Sequence, residues 1–414
     1  MYTVKIKTLT PIWTGDVDRE CKKIKETGII GSLRWWYEAI VRGYGGYACD
    51  PTNSDCNEKD HCDACELFGC TGWSRKFRIE VNEDTSIAPF LIVKPKSSRK
   101  QWFLGFLDQG GILGNLKFKI VADVETQNFL KFLLDFSSSW GIGSRTQVGF
   151  GIGKLAKKDY DLDRALNFVE KYFQIQDNIT NLPNLKDFFF TRIKLKQISE
   201  KDIESILDGC IFKTMQDVNN NNPLSAKEFL EKLNDKYKTY YPTAPFVRSV
   251  LRRLISNESL RHYLFGFVYI IGRSTPLHKT CLQHVIQNRN IRNKWYCPKC
   301  KRGNLYNGEI HTKIASKIYA SHIYKIDKGL EFKIWGWIPK LDLFNVNRNQ
   351  ILNLLNSNLK KEDFWRNCFG INSVDIQSLE WLEFNSDRDT KQKTENLSKF
   401  IKENLLEVDD NGEI

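Results

Sequence analysis

The stretch that decides the fold covers residues 29–78 and reads IIGSLRWWYEAIVRGYGGYACDPTNSDCNEKDHCDACELFGCTGWSRKFR. Its first part predicts a helix, because apolar side chains recur three, four and seven positions after the first one. These side chains are Leu33, Trp36, Tyr37 and Ile40. Ser32 is the expected N-cap, and Gly43 lies just past the expected end. We therefore expect this face of the helix to be buried.

The other faces of this helix carry charged side chains and a further indole. They are Arg34, Trp35, Glu38 and Arg42. We expect these side chains to point away from the buried face. Arg34 and Trp35 would then lie together on a surface that can hold a phosphate and stack a base.

Five cysteines follow the helix, at Cys49, Cys56, Cys62, Cys65 and Cys70. Cys62 and Cys65 have the two-residue gap of a zinc knuckle, in which two thiolates reach one ion and turn amides donate hydrogen bonds to them. Cys49 and Cys56 would complete a four-sulfur site. Cys70 fits a small buried apolar residue, and His61 is the weaker ligand candidate. Disulfides and free buried thiols are the alternatives that the cysteine count leaves open.

The order of these motifs resembles the RAMP superfamily, and within it the first-subunit family of the Cmr complex, the type III-B CRISPR effector. The resemblance is carried by Gly31-Ser-Leu-Arg-Trp-Trp-Tyr37, the cysteine cluster, Leu67-Phe-Gly69 and Thr71-Gly-Trp-Ser-Arg-Lys-Phe77. It covers residues 1–155 through specific motifs and residues 185–340 more weakly.

This resemblance implies an α+β fold with two ferredoxin-like domains, in which antiparallel sheets of the RAMP or RRM type are backed by helices. The implied division is an N-terminal RAMP domain at 1–157 with a zinc insertion at about 49–70, a bridging helix and linker at 158–184, a C-terminal RAMP domain at 185–345 with a zinc-ribbon-like insertion at about 276–308, and a helical tail at 346–414.

Composition and charge narrow the classes of partner. The chain has 414 residues, 41% hydrophobic and 27% charged, which is typical of a globular protein with room for two domains. A formal net charge of +12 favours a polyanionic partner, with nucleic acid as the leading candidate. The alternating residues 2–9 predict a strand in place of a signal peptide, and the apolar run 264–271 is too short to cross a bilayer. We expect a soluble, cytoplasmic protein without a membrane partner.

The pattern between the cysteines and the middle of the chain predicts strands at 77–81 and 88–93, separated by a polar turn at 82–84. A further strand is expected at 112–124 and a helix at 128–137. In the second half, residues 188–195 predict a strand.

Two basic segments leave their role open. One is the run of Lys94, Lys96, Arg99 and Lys100 before Trp102 and Phe103. It fits either a surface that follows a phosphate backbone or a lysine-rich loop next to a core aromatic. The other is a helix with Arg248, Arg252 and Arg253, which fits an RNA-facing or subunit-facing patch as well as a solvated face.

A glycine-rich segment reads Gly141-Ile-Gly-Ser-Arg-Thr-Gln-Val-Gly149-Phe-Gly-Ile-Gly153. Five glycines within thirteen residues suit a loop whose amides approach a ligand closely, as in a phosphate-binding nest. A tight turn is the alternative. The segment resembles the glycine-rich loop of RAMP proteins, which contacts RNA, but Gln147 and Val148 stand where the family has basic residues.

A second zinc module is expected within residues 276–308. Cys297 and Cys300 again have knuckle spacing, and Cys281 with either His278 or His284 would complete a tetrahedral site. The alternative is a chance pair among unrelated cysteines. Together the two modules predict two structural zinc ions.

The segment from Lys317 to His322 resembles a second-half RAMP element, in which basic residues precede an Ala-Ser-Pro turn. Here Lys317 stands alone and His322 replaces the proline. Histidine acts as general acid or base in RNA-cleaving relatives of the superfamily. No partner for such chemistry is identifiable in the sequence, so a histidine with ordinary structural contacts is the favoured interpretation.

The resemblance implies a non-catalytic RNA-binding subunit in antiviral defence. It would hold the 3′ region of the guide RNA (crRNA) and the target RNA paired to it, next to other RAMP subunits. The RNA-contact candidates are Arg34, Trp35, Arg75, Lys76, Arg78, Gly141, Gly143, Ser144, Arg145, Gly149, Gly151 and Lys317. One alternative is a metal-independent RNA endonuclease of the same superfamily, and another is a zinc-containing RNA-binding module outside CRISPR.

Overall fold

The computed structural model describes residues 2–18, 20–51, 54–170, 182–196, 198–214, 223–233, 239–271, 310–339, 346–370 and 376–406. These residues form two antiparallel sheets with helices packed against them and a separate two-stranded pair. The expectation of a mixed fold of helices and antiparallel sheets is confirmed.

Among the described residues, the first half of the chain forms four strands and four α-helices. They are β1 (Tyr2–Thr8), α1 (Glu26–Tyr44), α2 (Asp63–Phe68), β2 (Arg78–Pro95), β3 (Trp102–Val121), α3 (Val124–Trp140), β4 (Gly153–Leu155) and α4 (Leu162–Glu170). The strands form one antiparallel sheet in the order β4-β1-β3-β2, so β1 lies in its middle. In β1 the alternation expected from the sequence places Val4 and Ile6 in the core.

A long hairpin of β2 and β3 dominates this sheet. The turn expected at 82–84 is wrong, because Asn82, Glu83 and Asp84 pair with β3 as part of one continuous strand. Their polar side chains are tolerated because this end of β2 lies at the margin of the sheet. Register shifts on either side of Pro89 allow the strand to continue past a residue that cannot donate a ladder hydrogen bond.

The second half contains the remaining described elements. They are β5 (Phe188–Leu195), α5 (Glu200–Asp208), β6 (Cys210–Thr214), α6 (Ala226–Lys232), β7 (Tyr240–Tyr241), α7 (Ala244–Leu254), α8 (Glu258–Phe265), β8 (Phe267–Ile271), β9 (Ile310–Ile314), β10 (Ile318–Ala320), β11 (Ile323–Ile326), β12 (Gly329–Trp337), α9 (Arg348–Leu359), α10 (Glu362–Phe369), β13 (Ile376–Glu383) and α11 (Leu397–Phe400), which continues as a π-helical turn at Ile401–Leu405. The second sheet runs β13-β5-β12-β11-β7, with β10 beside β12, and β8 pairs with β9.

The two halves share a sheet and a core. Strand β6 comes from the second half but pairs with the end of β2, which makes it the fifth strand of the first sheet. Trp140 at the end of α3 packs on Phe190, with 4.6 Å between the ring centroids, and donates from Nε1 to the Leu405 carbonyl at 3.0 Å. Residues more than two hundred positions apart therefore hold the halves together.

The expectation of a wholly helical tail is wrong. Helices α9 and α10 are followed by β13, which pairs with β5 along its length, and Trp381 lies fully buried in this strand. Its ring stacks on Phe189 at 4.8 Å between centroids. Pairing with β5 thus gives this part of the tail a strand conformation that its local sequence does not predict.

In the described part of the chain, no helix combines the length and the apolar character needed to cross a membrane.

Candidate metal centre and nucleic-acid interface

Helix α1 positions the candidate site. It begins at Glu26, with Lys25 as an extended N-cap, so the expectation of Ser32 as N-cap is wrong. The buried face extends backwards through Ile29 and Ile30, which is why the helix starts earlier. At the other end Gly45, with φ of 97°, ends the helix in the left-handed conformation that favours glycine.

Four cysteines converge beside this helix, as the sequence predicts. The Sγ atoms of Cys49, Cys56, Cys62 and Cys65 all lie within 4.8 Å of one another, and those of Cys49 and Cys65 are 3.8 Å apart. A tetrahedral zinc ion with Zn–S bonds of about 2.3 Å requires sulfur atoms separated by about 3.8 Å. The donor set and its spacing therefore fit a structural zinc ion.

The backbone around Cys62 has the hydrogen bonds expected of a knuckle. Cys62 is the N-cap of α2, and its Sγ accepts from the amides of Cys65 at 3.4 Å and Cys49 at 3.3 Å. The neighbouring thiols of Cys49 and Cys65 lower the pKa of Cys62 by hydrogen bonding to its thiolate. Hydrogen bonding within the cluster raises the pKa of Cys49 and Cys65 instead, so Cys62 is the one of these three sulfurs that is favoured as a thiolate.

Charged side chains of α1 line the cysteine cluster, and the expectation that they all point to an exposed surface is wrong for two of them. Glu38 and Arg42 are buried. Arg34 is half-buried and donates from Nη2 to Cys65 Sγ at 3.1 Å and from Nη1 to the Gly69 carbonyl at 3.0 Å. Its Nε donates to Glu38 at 2.9 Å.

Arg42 supports the same cluster from behind. Its guanidinium donates to the carbonyls of Ala48 and Cys49 and, at 3.0 Å, to that of Pro183, while Glu38 lies 3.6 Å away. Burial lowers the pKa of Arg42. Burial also opposes the charge of Arg34, but the hydrogen bond to Glu38 and the charge of Cys65 outweigh it and raise the pKa of Arg34. Two guanidinium groups therefore face sulfur and the backbone that carries it.

His61 and Cys70 lie outside the four-sulfur set. His61 Nε2 is 2.6 Å from Glu66, and its ring stacks on Trp73 with centroids 4.6 Å apart. Cys70 is half-buried in a turn closed by backbone hydrogen bonds with Trp73. The described cysteines are free thiols, and none of them forms a disulfide.

A basic strip follows the knuckle, formed by the exposed side chains of Arg75, Lys76 and Arg78. Arg75 and Arg78 border an open surface hollow of about 560 Å³ whose other lining residues include Trp73 and Phe68. Lys76 pairs with Glu66, and Arg78 lies 3.4 Å from Glu80. This surface presents cations beside a half-buried indole.

The glycine-rich loop uses many of its amides within the fold. Gly141 donates to Ser137, Ser144 to Trp13, Gly149 to Thr146 and Gly151 to Pro11, at distances of 2.7–3.1 Å. The four glycines Gly141, Gly143, Gly149 and Gly151 have φ between 82° and 125°, so the loop needs residues without Cβ. These contacts favour the tight turn for the buried parts and leave Ser144 exposed.

Arg145 marks the outer part of this loop. It adopts φ of 62°, and its guanidinium lies 4.2 Å from the ring centroid of Trp13 while donating to the Gly105 carbonyl at 2.8 Å. Trp13 is a residue that the sequence analysis did not select. Its place after β1, in the segment Pro11-Ile-Trp-Thr-Gly15, is the only local signal for it.

Trp35 and Lys317 lie at the junction with the second half. Trp35 is half-buried and packs edge-on against Phe188 at 5.9 Å between centroids. Lys317 is buried, with Nζ 3.7 Å from the ring centroid of Tyr263, and burial lowers its pKa to about 8. Neither side chain is placed on the open surface that the basic strip occupies.

His322 is fully buried. Its Nδ1 accepts from the Ala244 amide at 3.2 Å, and its own amide donates to the Gly149 carbonyl at 3.3 Å. Burial lowers the pKa of His322 to about 3. His322 therefore has no exposed surface for acid–base chemistry, but its Nε2 is buried without a hydrogen-bond partner among the described residues, so the expectation of ordinary structural contacts holds for Nδ1 alone.

The second candidate zinc module lies outside the described residues. This applies to His278, Cys281, His284, Cys297 and Cys300. The ligand set proposed for it therefore stays a prediction.

Comparison with known proteins agrees with the sequence resemblance over the first sheet. Residues 5–154 match the family model of the RAMP superfamily. This range begins within β1 and ends within β4, so it spans the four consecutive strands of the first half. No curated protein sequence matches the chain.

Two solved structures are similar to the chain at low identity. The crystal structure of Cmr1 from Pyrococcus furiosus in its apo form has 11% identity and a TM-score of 0.40, with 86% of this chain and 97% of that chain covered. A chain of the Type III-B Cmr-beta, solved by cryo-electron microscopy bound to cognate target RNA and AMPPnP, has 12% identity and a TM-score of 0.39, with 89% and 99% covered.

Proposed function

We propose that this chain is a non-catalytic RNA-binding subunit of a type III-B CRISPR RNA-guided effector complex, acting in antiviral defence. The observation that carries the proposal is the RAMP match over residues 5–154, a range that spans four of the five strands of the first sheet. The order of the Arg-Trp-Trp helix, the cysteine knuckle and Leu67-Phe-Gly69 supports the assignment to the Cmr complex within that superfamily.

The strand order supports two ferredoxin-like domains. In the first sheet, the fourth, first, third and second strands of the first half are neighbours, and the second sheet repeats this order as β13-β5-β12-β11. This is the order that a βαββαβ unit produces. We place the domains at 1–157 and 185–345, joined by 158–184, with residues 346–414 adding the fourth strand of the second sheet.

The metal centre in this proposal is structural. Four thiolates with no open coordination position hold zinc without exposing it to a substrate. The ion would fix the segment between α1 and β2, and thereby the basic strip that follows it. A second ion, in the module at 276–308, completes the proposed pair.

The proposed RNA-binding surface consists of the basic strip and the glycine-rich loop. Helix α1 contacts the segments that carry both. Arg34 bonds the Gly69 carbonyl on the strip side, and Trp36 Nε1 donates to the Gly141 carbonyl at 2.9 Å on the loop side. Cations at Arg75 and Arg78 suit phosphate contacts, while base pairing between guide and target reads the sequence. The partners are thus guide RNA, target RNA and other RAMP subunits.

Purification of the tagged chain from its native host tests this proposal. We expect repeat-derived guide RNAs of fixed length together with RAMP subunits. Recovery of the chain with structured RNAs of other kinds, or without RNA and partners, would contradict the proposed complex. The first of these results would favour a zinc-containing RNA-binding protein outside CRISPR.

A further inference from the structure

A second basic cleft lies away from the knuckle, where the loop between β2 and β3 meets α7 and α8. Its volume is about 300 Å³. The cations that line it are Arg99, Lys100, Arg252, Arg253 and Arg261, and Trp102 forms part of its wall. The fold therefore brings together two basic segments that are about 150 positions apart in the sequence.

Behind the wall of this cleft, a buried cation packs against two of the aromatic rings that line it. Arg248 is fully buried, donates to the Phe265 carbonyl at 2.8 Å, and holds its guanidinium 5.6 Å from the ring centroid of Trp102 and 5.4 Å from that of Phe265. Arg252 lies on Phe265 at 5.6 Å. Since its hydrogen bond to a backbone carbonyl holds Arg248 in place, the Trp102 and Phe265 rings pack on a fixed side chain.

The positive charge in the cleft has no counter-charge among the described residues. No carboxylate lines the cleft, and none of its five cations forms an ion pair within the described part of the chain. Lys96, at the start of the same loop, is in contrast paired with Asp208 at 2.7 Å. Burial and then the charge of Arg261 lower the pKa of Arg252.

We propose that this cleft binds the phosphate backbone of single-stranded RNA, with Trp102 stacking a base. Guanidinium groups match phosphate oxygens in geometry, and an aromatic wall beside a positive groove is typical of sites for unpaired strands. The inference rests on the RNA-binding function proposed above and adds a second contact point. Because the cleft combines a loop of the first half with helices of the second, RNA bound there would bridge the halves.

Fluorescence anisotropy with a labelled single-stranded RNA and the full-length chain tests the proposal. The cleft variant combines Arg99→Gln with Arg253→Gln, both exposed side chains. The control combines Lys227→Gln with Lys328→Gln, which removes the same charge from exposed positions outside the cleft. We expect the cleft variant to bind about 10-fold more weakly at 0.1 M salt, and the slope of log affinity against log salt to fall by about 0.7 per lost phosphate contact.

A second variant, Trp102→Leu, separates stacking from charge. We expect it to weaken binding with the salt slope unchanged, because stacking releases no counterions. The melting temperature of each variant is also measured. A value equal to that of the wild type verifies that the fold is intact.

The outcomes separate this inference from the proposed function. If the wild-type chain binds RNA and the cleft variant binds it as well as the control does, the cleft is not an RNA site. The proposed function is then unaffected. Wild-type chain that binds no RNA overturns both. If labelled polyglutamate, and not RNA, loses affinity in the cleft variant, the cleft is a site for an acidic protein and the inference is wrong.

Discussion

Arg34 lies between a carboxylate and a thiolate, and this position changes how its charge can be used. The sequence indicates a guanidinium free to hold phosphate, whereas the structure directs two of its nitrogens to Cys65 Sγ and the Gly69 carbonyl. Four thiolates and one zinc ion together carry a charge of about −2, which cationic neighbours stabilise. We therefore expect Arg34 to act mainly on the metal site.

Arg34→Gln should weaken zinc binding about 10-fold to 100-fold, the range found when a hydrogen bond to a metal ligand is lost. A competition titration with a chromophoric zinc chelator measures this affinity. Arg75→Gln removes the same charge from an exposed neighbour and should leave zinc affinity unchanged. Unchanged zinc affinity in Arg34→Gln, with weaker RNA binding, would restore the direct RNA contact that the sequence indicates.

The buried Lys317 makes the stability of the fold depend on pH. Burial lowers its pKa from 10.5 to about 8, so the charged lysine opposes folding below pH 8. Between pH 8 and pH 10.5 the unfolded state still binds the proton that the folded state has lost, so the free energy of unfolding rises with pH in that window. Lys317→Met removes this penalty.

We expect Lys317→Met to be more stable than wild type at neutral pH by at most about 3 kcal/mol, since the contact with Tyr263 recovers part of the cost. The advantage should shrink above pH 8 and vanish near pH 10.5. Denaturant unfolding across this range measures the difference. A difference that does not vary with pH would show that Lys317 keeps an ordinary pKa.

The folding of the zinc knuckle around α2 depends on its cysteine ligands. Helix α2 has only six residues, too few for a stable isolated helix, and its N-cap is the proposed ligand Cys62. A bound metal would supply the missing free energy, because binding to a site absent from the unfolded chain stabilises the folded state.

Cys62→Ser combined with Cys65→Ser should remove one zinc ion per chain and lower the melting temperature. Elemental analysis and thermal unfolding measure the two effects. Cys70→Ser is the matched control, because this half-exposed thiol lies outside the four-sulfur set. Retention of all zinc in the double variant would exclude this site.

A structural feature can be predicted from the sequence when the interactions that determine it involve residues close together in the chain. The bounds of β5 are as predicted, since the periodicity of a strand acts within a few residues. The four-cysteine cluster is also predictable, because knuckle spacing fixes two ligands. The strand around Trp381 is not, since its partner β5 is distant in the sequence.

The positive charge of the molecule, +12 in total, is concentrated on at least two separate surfaces. The basic strip and the cleft between the β2–β3 loop and helices α7 and α8 lie on different parts of the chain. Each combines cations with an indole. A polyanion that contacts both would have to extend across the surface, as an unpaired RNA strand can.

Arg75→Gln combined with Arg78→Gln should weaken RNA binding about 10-fold and reduce the salt slope, without changing zinc content, because both side chains lie outside the ligand set. Anisotropy titrations at several salt concentrations measure both quantities. The Lys227→Gln and Lys328→Gln control should bind as wild type does. Equal losses in the two variants would indicate binding by overall charge, without a defined strip.

The position of β6 has a consequence for how the chain matures on the ribosome. Until residues 210–214 emerge, the apolar end of β2 at Leu91–Val93 has no neighbour on that side. An unpaired apolar edge is open to pairing with other nascent chains. We infer that the first sheet is completed only after part of the second half has been translated, so the two halves acquire their native form together.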